Sequence, residues 1–308
     1  MPIFLPEGLP AIQTLRSEGR PLSAAANPGA IRIALLNLMP DKIRAETQFA
    51  RHLATPDRCV ELVPAKLRTY RVRHAESHVE RFYTDIDDVL ASGVDALIVT
   101  GAPVETMPFT RVDYWSELTD ILAQAADAVP QRLHVCWAAQ AALFASHGIE
   151  KRALPAKAFG VFEQRVVRPD IDLMSGLGLG FPVPVSRHTT VDAADIAGGE
   201  GLTLLADCPE TGPGLVESRD GRDVYSFNHF EYDPAALGDE YRRDLLNGLN
   251  IARPKQYFRD GDPARGPDFR WGATSRRFFR NWLERVARPA RPARPQGLFA
   301  SCTLPGGP

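Results

Sequence analysis

Four continuous apolar runs alternate with helix-patterned segments across the first half of this chain, and that alternation admits few architectures. The runs are IRIALLNL (31–38), VELVPAKL (60–67), VDALIVTG (94–101) and QRLHVCW (131–137). Each is aliphatic or β-branched without polar alternation, the pattern of strands buried on both faces. Between them, KIRAETQFARHLA (42–54) sets Ile43, Phe49, Ala50 and Leu53 on one helical face. Residues 71–92 read as an arginine-rich loop and helix, and DYWSELTDILAQAADA (113–128) as a further helix. This succession predicts an α/β fold, a doubly wound and mostly parallel sheet with helices on both faces. Functional groups in such sheets gather at the carboxyl ends of the strands. LNLMPDK, TGAPVE and CWAAQ occupy three of those ends and are expected to converge.

The second half changes character. Short strands are expected at 160–167, 181–191, 202–208, 214–220 and 223–233, separated by Gly, Asp and Pro. They predict a smaller antiparallel section, packed on the first sheet or continuing it. Helical patterning returns after 234. The organisation read from the chain is an N-terminal arm over 1–30 with one helical turn near 12–16, a main domain over 31–286, and a tail over 287–308. The tail's RPARPARP repeat cannot build a packed core, so it is expected to be disordered and to carry Cys302 with it.

Composition closes off several classes of function. A net charge of −2 and a pI near 6.4 give no basic footprint for nucleic acid or an anionic membrane. The N-terminus, interrupted by Pro2, Pro6 and Pro10, resembles neither a signal peptide nor an anchor. No apolar run approaches the roughly 20 residues that span a bilayer. The cysteines at 59, 136, 208 and 302 show no metal-ligand spacing, so free thiols in a reducing cytoplasm are expected, with no metal.

Two places carry chemistry. In LHVCWAAQAAL, Cys136 stands where a strand turns directly into a helix. A side chain at such a bend is presented to substrate, the following N–H groups face the reacting carbonyl, and the positive helix end favours a thiolate. A small buried core cysteine is an equal reading of the local sequence. In NHFEYD, His229 and Glu231 sit two residues apart at the end of an apolar strand, where i and i+2 face the same way. A histidine held by a carboxylate can activate a thiol. Alone the pair reads more readily as a surface feature; with the strand-turn-helix cysteine it points to catalysis.

LNLMPDKIRAETQF, DALIVTGAPVE, VCWAAQAAL and HFEYD, in this order and over about residues 31 to 285, resemble the homoserine O-acyltransferase family typified by homoserine O-succinyltransferase. The resemblance implies a flavodoxin-like fold akin to class I glutamine amidotransferases. It implies that Cys136 accepts an acyl group from acyl-CoA as a thioester, that His229 is the base, and that Glu231 completes the triad. No bound cofactor is expected, acyl-CoA being a cosubstrate. Backbone N–H groups of Trp137 and Leu38 are the expected oxyanion hole. Lys157, Ser186 and Lys42 match substrate-contacting positions, and Asp41 stands where some relatives have a second lysine. Arg243 matches the arginine that holds the amino acid's carboxylate, with Glu240 one turn earlier for its ammonium; an ordinary exposed ion pair is the bland reading. The resemblance also implies a cytoplasmic homodimer serving methionine biosynthesis.

Glu105 in TGAPVE bears on the acyl group. The family places glycine there in succinyl-transferring members and glutamate in acetyl-transferring ones, which implies acetyl-CoA. A carboxylate about 4 Å from a succinyl carboxylate costs roughly 4 kcal/mol at an effective dielectric near 20; a Glu105 turned outward would carry no such meaning. Asn228 and Phe230 depart from the Gly and Pro that commonly flank the family's histidine. Either they are silent variation or they narrow the pocket and shift the acceptor towards serine or another hydroxy amino acid; homoserine is the expected acceptor. A glutaminase-like hydrolase and a non-enzymatic binding protein are the other classes; Trp137 argues against the first and the three triad residue types against the second.

Overall fold

The apolar runs are the central strands of one sheet in the computed structural model, which describes residues 2–70 and 75–288. The first half comprises β1 (Ile3–Phe4), α1 (Ala11–Ser17), β2 (Ile31–Leu36), α2 (Lys42–Leu53), β3 (Val60–Lys66), α3 (Glu76–Phe82), β4 (Thr84–Asp85), α4 (Ile86–Ala91), β5 (Ala96–Val99), α5 (Trp115–Ala128), β6 (Gln131–Val135) and α6 (Trp137–His147). The second comprises β7 (Arg152–Val166), β8 (Gly180–Thr190), α7 (Ala193–Gly198), β9 (Leu202–Cys208), β10 (Gly212–Ser218), β11 (Asp223–Ser226), α8 (Ala236–Leu246) and α9 (Gly272–Val286).

The strands lie in the order β1-β3-β2-β5-β6-β11-β10-β9-β7-β8, with β4 beside β3. Every pairing from β1 to β11 is parallel, and from β11 to β8 every pairing is antiparallel. The antiparallel section therefore continues the first sheet and is not packed upon it. β11, last in the chain, lies parallel against β6 with Ser226 opposite Val135. That register brings the segment after Ser226 beside Cys136.

Side-chain alternation explains why the central runs are apolar throughout. Ile33, Leu35, Ile98, Leu133 and Val135 face one layer with Phe49 and Leu53 of α2 and Phe278, Phe279 and Trp282 of α9. Ala34, Leu36, Leu97 and Val99 face the other, with Leu118, Ile121 and Leu122 of α5 and most of α6. The helix over 71–92 is divided, since Tyr83 takes an extended backbone and leads into the short β4. No helix among the described residues is long and apolar enough to cross a membrane.

The N-terminal segment differs from the expected arm. β1 pairs with β3, and Ile3, Leu5, Leu9, Ala11 and Leu15 are buried in the core, because so many apolar side chains between the prolines cannot remain in water. The tail expected from 287 onward, Cys302 included, lies outside the described residues from 289.

Candidate active site

Cys136 occupies the single residue between β6 and α6, with φ 54° and ψ −114°. A non-glycine residue holds such angles only when its surroundings enforce them. Here its N–H donates to Ser226 O at 2.7 Å, its carbonyl accepts from Ala139 N at 3.1 Å, and Trp137 through Leu143 are buried behind it. The result is a sharp turn that holds the sulfur at the first turn of α6, 7% exposed. Gly101, at the end of β5, approaches from the neighbouring strand. A methyl group there would stand 3.3 Å from Cys136 Cβ and 3.9 Å from Sγ, so glycine makes this a close fit with little room for a larger residue.

His229 follows β11. Its backbone N–H donates to Pro184 O at 2.9 Å, its ring stacks on Tyr232 at 4.1 Å, and Nδ1 donates to Glu231 Oε1 at 2.6 Å. Cys136 lies within electrostatic reach of His229. Burial alone would depress the imidazole, yet the Glu231 carboxylate and then the Cys136 sulfur hold it well above the ordinary histidine range. An imidazolium beside a thiol is the setting in which thiolates form. The expected grouping of the three residues is present, but for a different local reason. The strand stops at Ser226, and a turn through Phe230 and Glu231, not strand alternation, folds the carboxylate back onto the ring.

Replacing Glu231 by Gln is expected to lower kcat by about 10²–10⁴-fold and to move the His229 titration to lower pH, because the charge that offsets burial is gone. A pH–rate profile with imidazole NMR reads both, and an unchanged kcat would refute the role given to the carboxylate.

Lys157, Ser186 and Glu240 also meet here. Lys157 Nζ and Ser186 Oγ donate to the same Glu240 oxygen at 2.6 and 2.7 Å, while Ser186 O lies 3.8 Å from Cys136 Sγ. Arg243 is on the rim, 62% exposed, and directs two donors to Asp244 Oδ1 at 2.8 and 2.6 Å; Glu240 is 3.8 Å away. The i, i+3 pairing read from the sequence is thus secondary to the adjacent one.

Two expected contact groups have other partners in this structure. The Leu38 N–H donates to Thr100 Oγ1 at 2.8 Å and is committed there. β2 is separated from β6 by β5, so the backbone that adjoins the sulfur is Gly101. Lys42 is turned inward, its Nζ 2.5 Å from Asn37 O, and burial pushes it down to about 8 despite the neighbouring Glu46. Asp41 caps α2 by accepting from Arg44 N.

Glu105 does not turn outward. Its Oε2 accepts from His188 N at 2.8 Å, two residues along β8 from the Ser186 carbonyl that meets the sulfur. Lys151 fixes the loop by donating to Glu105 O and Met107 O at 2.6 and 2.5 Å. The side chain of His188 is exposed; its backbone makes the contact.

Sequence reasoning missed Gly101, Lys151 and Arg187. Arg187 is fully buried, donates Nη2 to Thr211 O and Pro213 O at 2.5 and 3.2 Å, and has no carboxylate partner within ion-pair distance among the described residues. Burial pushes it down to about 10, and the acidic groups acting on it are Cys136, Glu105 and Cys208. A charged residue within the largely apolar strand segment FPVPVSR was the signal available.

The two departures beside His229 are both buried. Asn228 is buried without a left-handed backbone, so glycine's freedom is not needed there. Phe230 stacks on Phe278 at 3.9 Å within the core, so its bulk is directed away from the pocket. Among the described residues no group of three or more His, Cys, Asp or Glu is arranged to hold a metal ion.

The fold class has solved counterparts. A glutamine amidotransferase from Thermotoga maritima aligns over 84% of this chain and 99% of its own with a TM-score of 0.58 at 11% identity, and one from Methylobacillus flagellatus over 87% and 99% with 0.54 at 12%. The protein is thus an α/β chain of class I glutamine amidotransferase-like fold. It belongs to the homoserine O-succinyltransferase family, whose description it matches over residues 2–291. A homoserine O-acetyltransferase from Synechococcus sp. is 43% identical over 289 residues, covering 92% of this chain and 97% of the relative. One from Parabacteroides distasonis is 40% identical over 291 residues, covering 92% and 93%.

Proposed function

We propose that this protein transfers an acetyl group from acetyl-CoA to the side-chain hydroxyl of L-homoserine through a thioester on Cys136. One arrangement carries the reading: a cysteine at a strained strand-to-helix turn, within electrostatic reach of a buried histidine that a carboxylate grips at 2.6 Å. In the first half-reaction the Cys136 thiolate attacks the thioester carbonyl, the bond between that carbon and the CoA sulfur breaks, and CoA departs with the proton of the His229 imidazolium. One thioester replaces another, so little free energy changes hands. In the second, neutral His229 takes the hydroxyl proton as the oxygen attacks the acetyl carbon, and Cys136 leaves as thiolate. The Trp137 N–H, in the first helical turn where no intrahelical partner exists, and the backbone at Gly101 are the oxyanion donors in this reading.

Arg243 on the rim suits the acceptor's carboxylate, and the Glu240 group with Lys157 and Ser186 suits its ammonium. The family's name specifies succinyl and the relatives' names acetyl; Glu105, anchored beside the strand that meets Cys136, favours acetyl. The reading carries with it a cytoplasmic role towards methionine and a homodimeric state.

Phe230, buried in the core, leaves room for the longer acceptor, which supports homoserine over serine. Steady-state assays are expected to favour homoserine in kcat/KM by about 10–200-fold, the worth of one methylene in a fitted pocket. A preference for serine would overturn the acceptor assignment. Glutamine hydrolysis without acyl-CoA would instead favour the chemistry of the fold's structural neighbours.

A further inference from the structure

A recess of about 420 Å³ opens between the end of α1, the last turn of α2 and the first half of α9, and no residue of the triad lines it. Its wall carries five guanidiniums, Arg20, Arg51, Arg276, Arg277 and Arg280, against one carboxylate, Asp57. The whole chain has a net charge of −2, so this concentration of positive charge is local. Glu18, near the rim, pairs with Arg51 at 2.8 Å and lies 3.8 Å from Arg20, while Asp57 lies 4.0 Å from Arg280. Arg276 and Arg277 have no carboxylate partner among the described residues. Arg276 and Arg280 are also one turn apart on α9, a like-charge spacing that destabilises a helix unless something neutralises it.

His52 reports the same field from inside. Its ring is buried and stacked on Phe279 at 4.8 Å, and Nδ1 has no hydrogen-bond partner. Burial, then Arg51, Arg20 and Arg276, push the imidazole down to about 3. Arg51 Nη1 lies 4.0 Å from Asp233. The recess is thus joined through Arg51 to the loop that carries His229 and Glu231.

We infer that this recess is a binding site for a small molecule with two or more phosphate charges, a diphosphate or a phosphate ester. Guanidinium forks match phosphate oxygens in geometry and charge, and the volume suits a small ligand. A single carboxylate would leave most of the arginines unbalanced. Two sources offer this chemistry: the phosphates of the acyl-CoA donor, in which case the inference rests on the proposed reaction, and a separate phosphorylated effector, in which case it does not.

Calorimetric titration of the full chain with inorganic pyrophosphate tests the site without turnover. Saturable binding is expected, weakened about tenfold or more in the R276A/R277A variant. Both side chains are exposed, so the variant should fold, and its circular dichroism checks this. No saturable binding at millimolar pyrophosphate, or equal binding to both proteins, overturns the inference. Kinetics then separates the sources. Competition with acetyl-CoA, and a KM raised for acetyl-CoA but not for S-acetylpantetheine in the variant, assigns the recess to the donor. A change in kcat without competition assigns it to an effector. Pyrophosphate binding in a protein that transfers no acetyl group upholds the site and refutes the acyltransferase reading instead.

Discussion

Replacing Cys136 by alanine is expected to leave a folded protein whose acyl transfer has fallen on the order of 10⁴-fold or more. Among the described residues the sulfur makes one long hydrogen bond, to Ser186 O at 3.8 Å, and the turn around it is held by backbone hydrogen bonds that alanine retains. Loss of activity in a variant with an unchanged melting profile therefore reports chemistry and not unfolding. The strained φ of 54° persists in the variant, because the Ser226 and Ala139 contacts that impose it are main-chain. Activity that survived the substitution would place the nucleophile elsewhere.

The second large effect concerns the donor. Glu105→Gly removes a carboxylate that the His188 amide and the Lys151 clamp hold against the strand reaching Cys136. A succinyl group would then meet no like charge. The ratio of kcat/KM for succinyl-CoA over acetyl-CoA is expected to rise by about 10²–10³-fold, the equivalent of roughly 3–4 kcal/mol of relieved repulsion. Arg187 should contribute to the gain, since its buried guanidinium lies within electrostatic reach of both Glu105 and Cys136 and would favour an added carboxylate. A ratio that stayed where it was would remove the physical basis for assigning acetyl.

How much of this was legible in the sequence varies with the kind of constraint. Strands buried on both faces must be apolar throughout, so β2, β3, β5 and β6 announce themselves. Cys136 and the His229–Glu231 pair were visible as residue types at strand ends. What the chain does not display is the order of strands. Because β5 lies between β2 and β6, Gly101 and not Leu38 adjoins the sulfur, and no local pattern encodes that. The same gap hid the fact that β11 extends the parallel sheet before the antiparallel strands begin. The direction in which a side chain is spent was equally hidden. Lys42 bonds inward to Asn37, and Phe230 faces α9. Arg187 was overlooked because a fully buried guanidinium without a counter-carboxylate is costly, and sequence reasoning places arginine at the surface.

The central claim is a covalent acyl group on one sulfur. Brief exposure of the wild-type protein to acetyl-CoA without acceptor, followed by intact mass measurement, is its most direct test. The account predicts a single acetyl adduct, removed by hydroxylamine or by added homoserine, absent from Cys136→Ser under the same brief treatment and from wild-type protein given glutamine. An unmodified wild-type mass, or an adduct that maps to another residue, would contradict it.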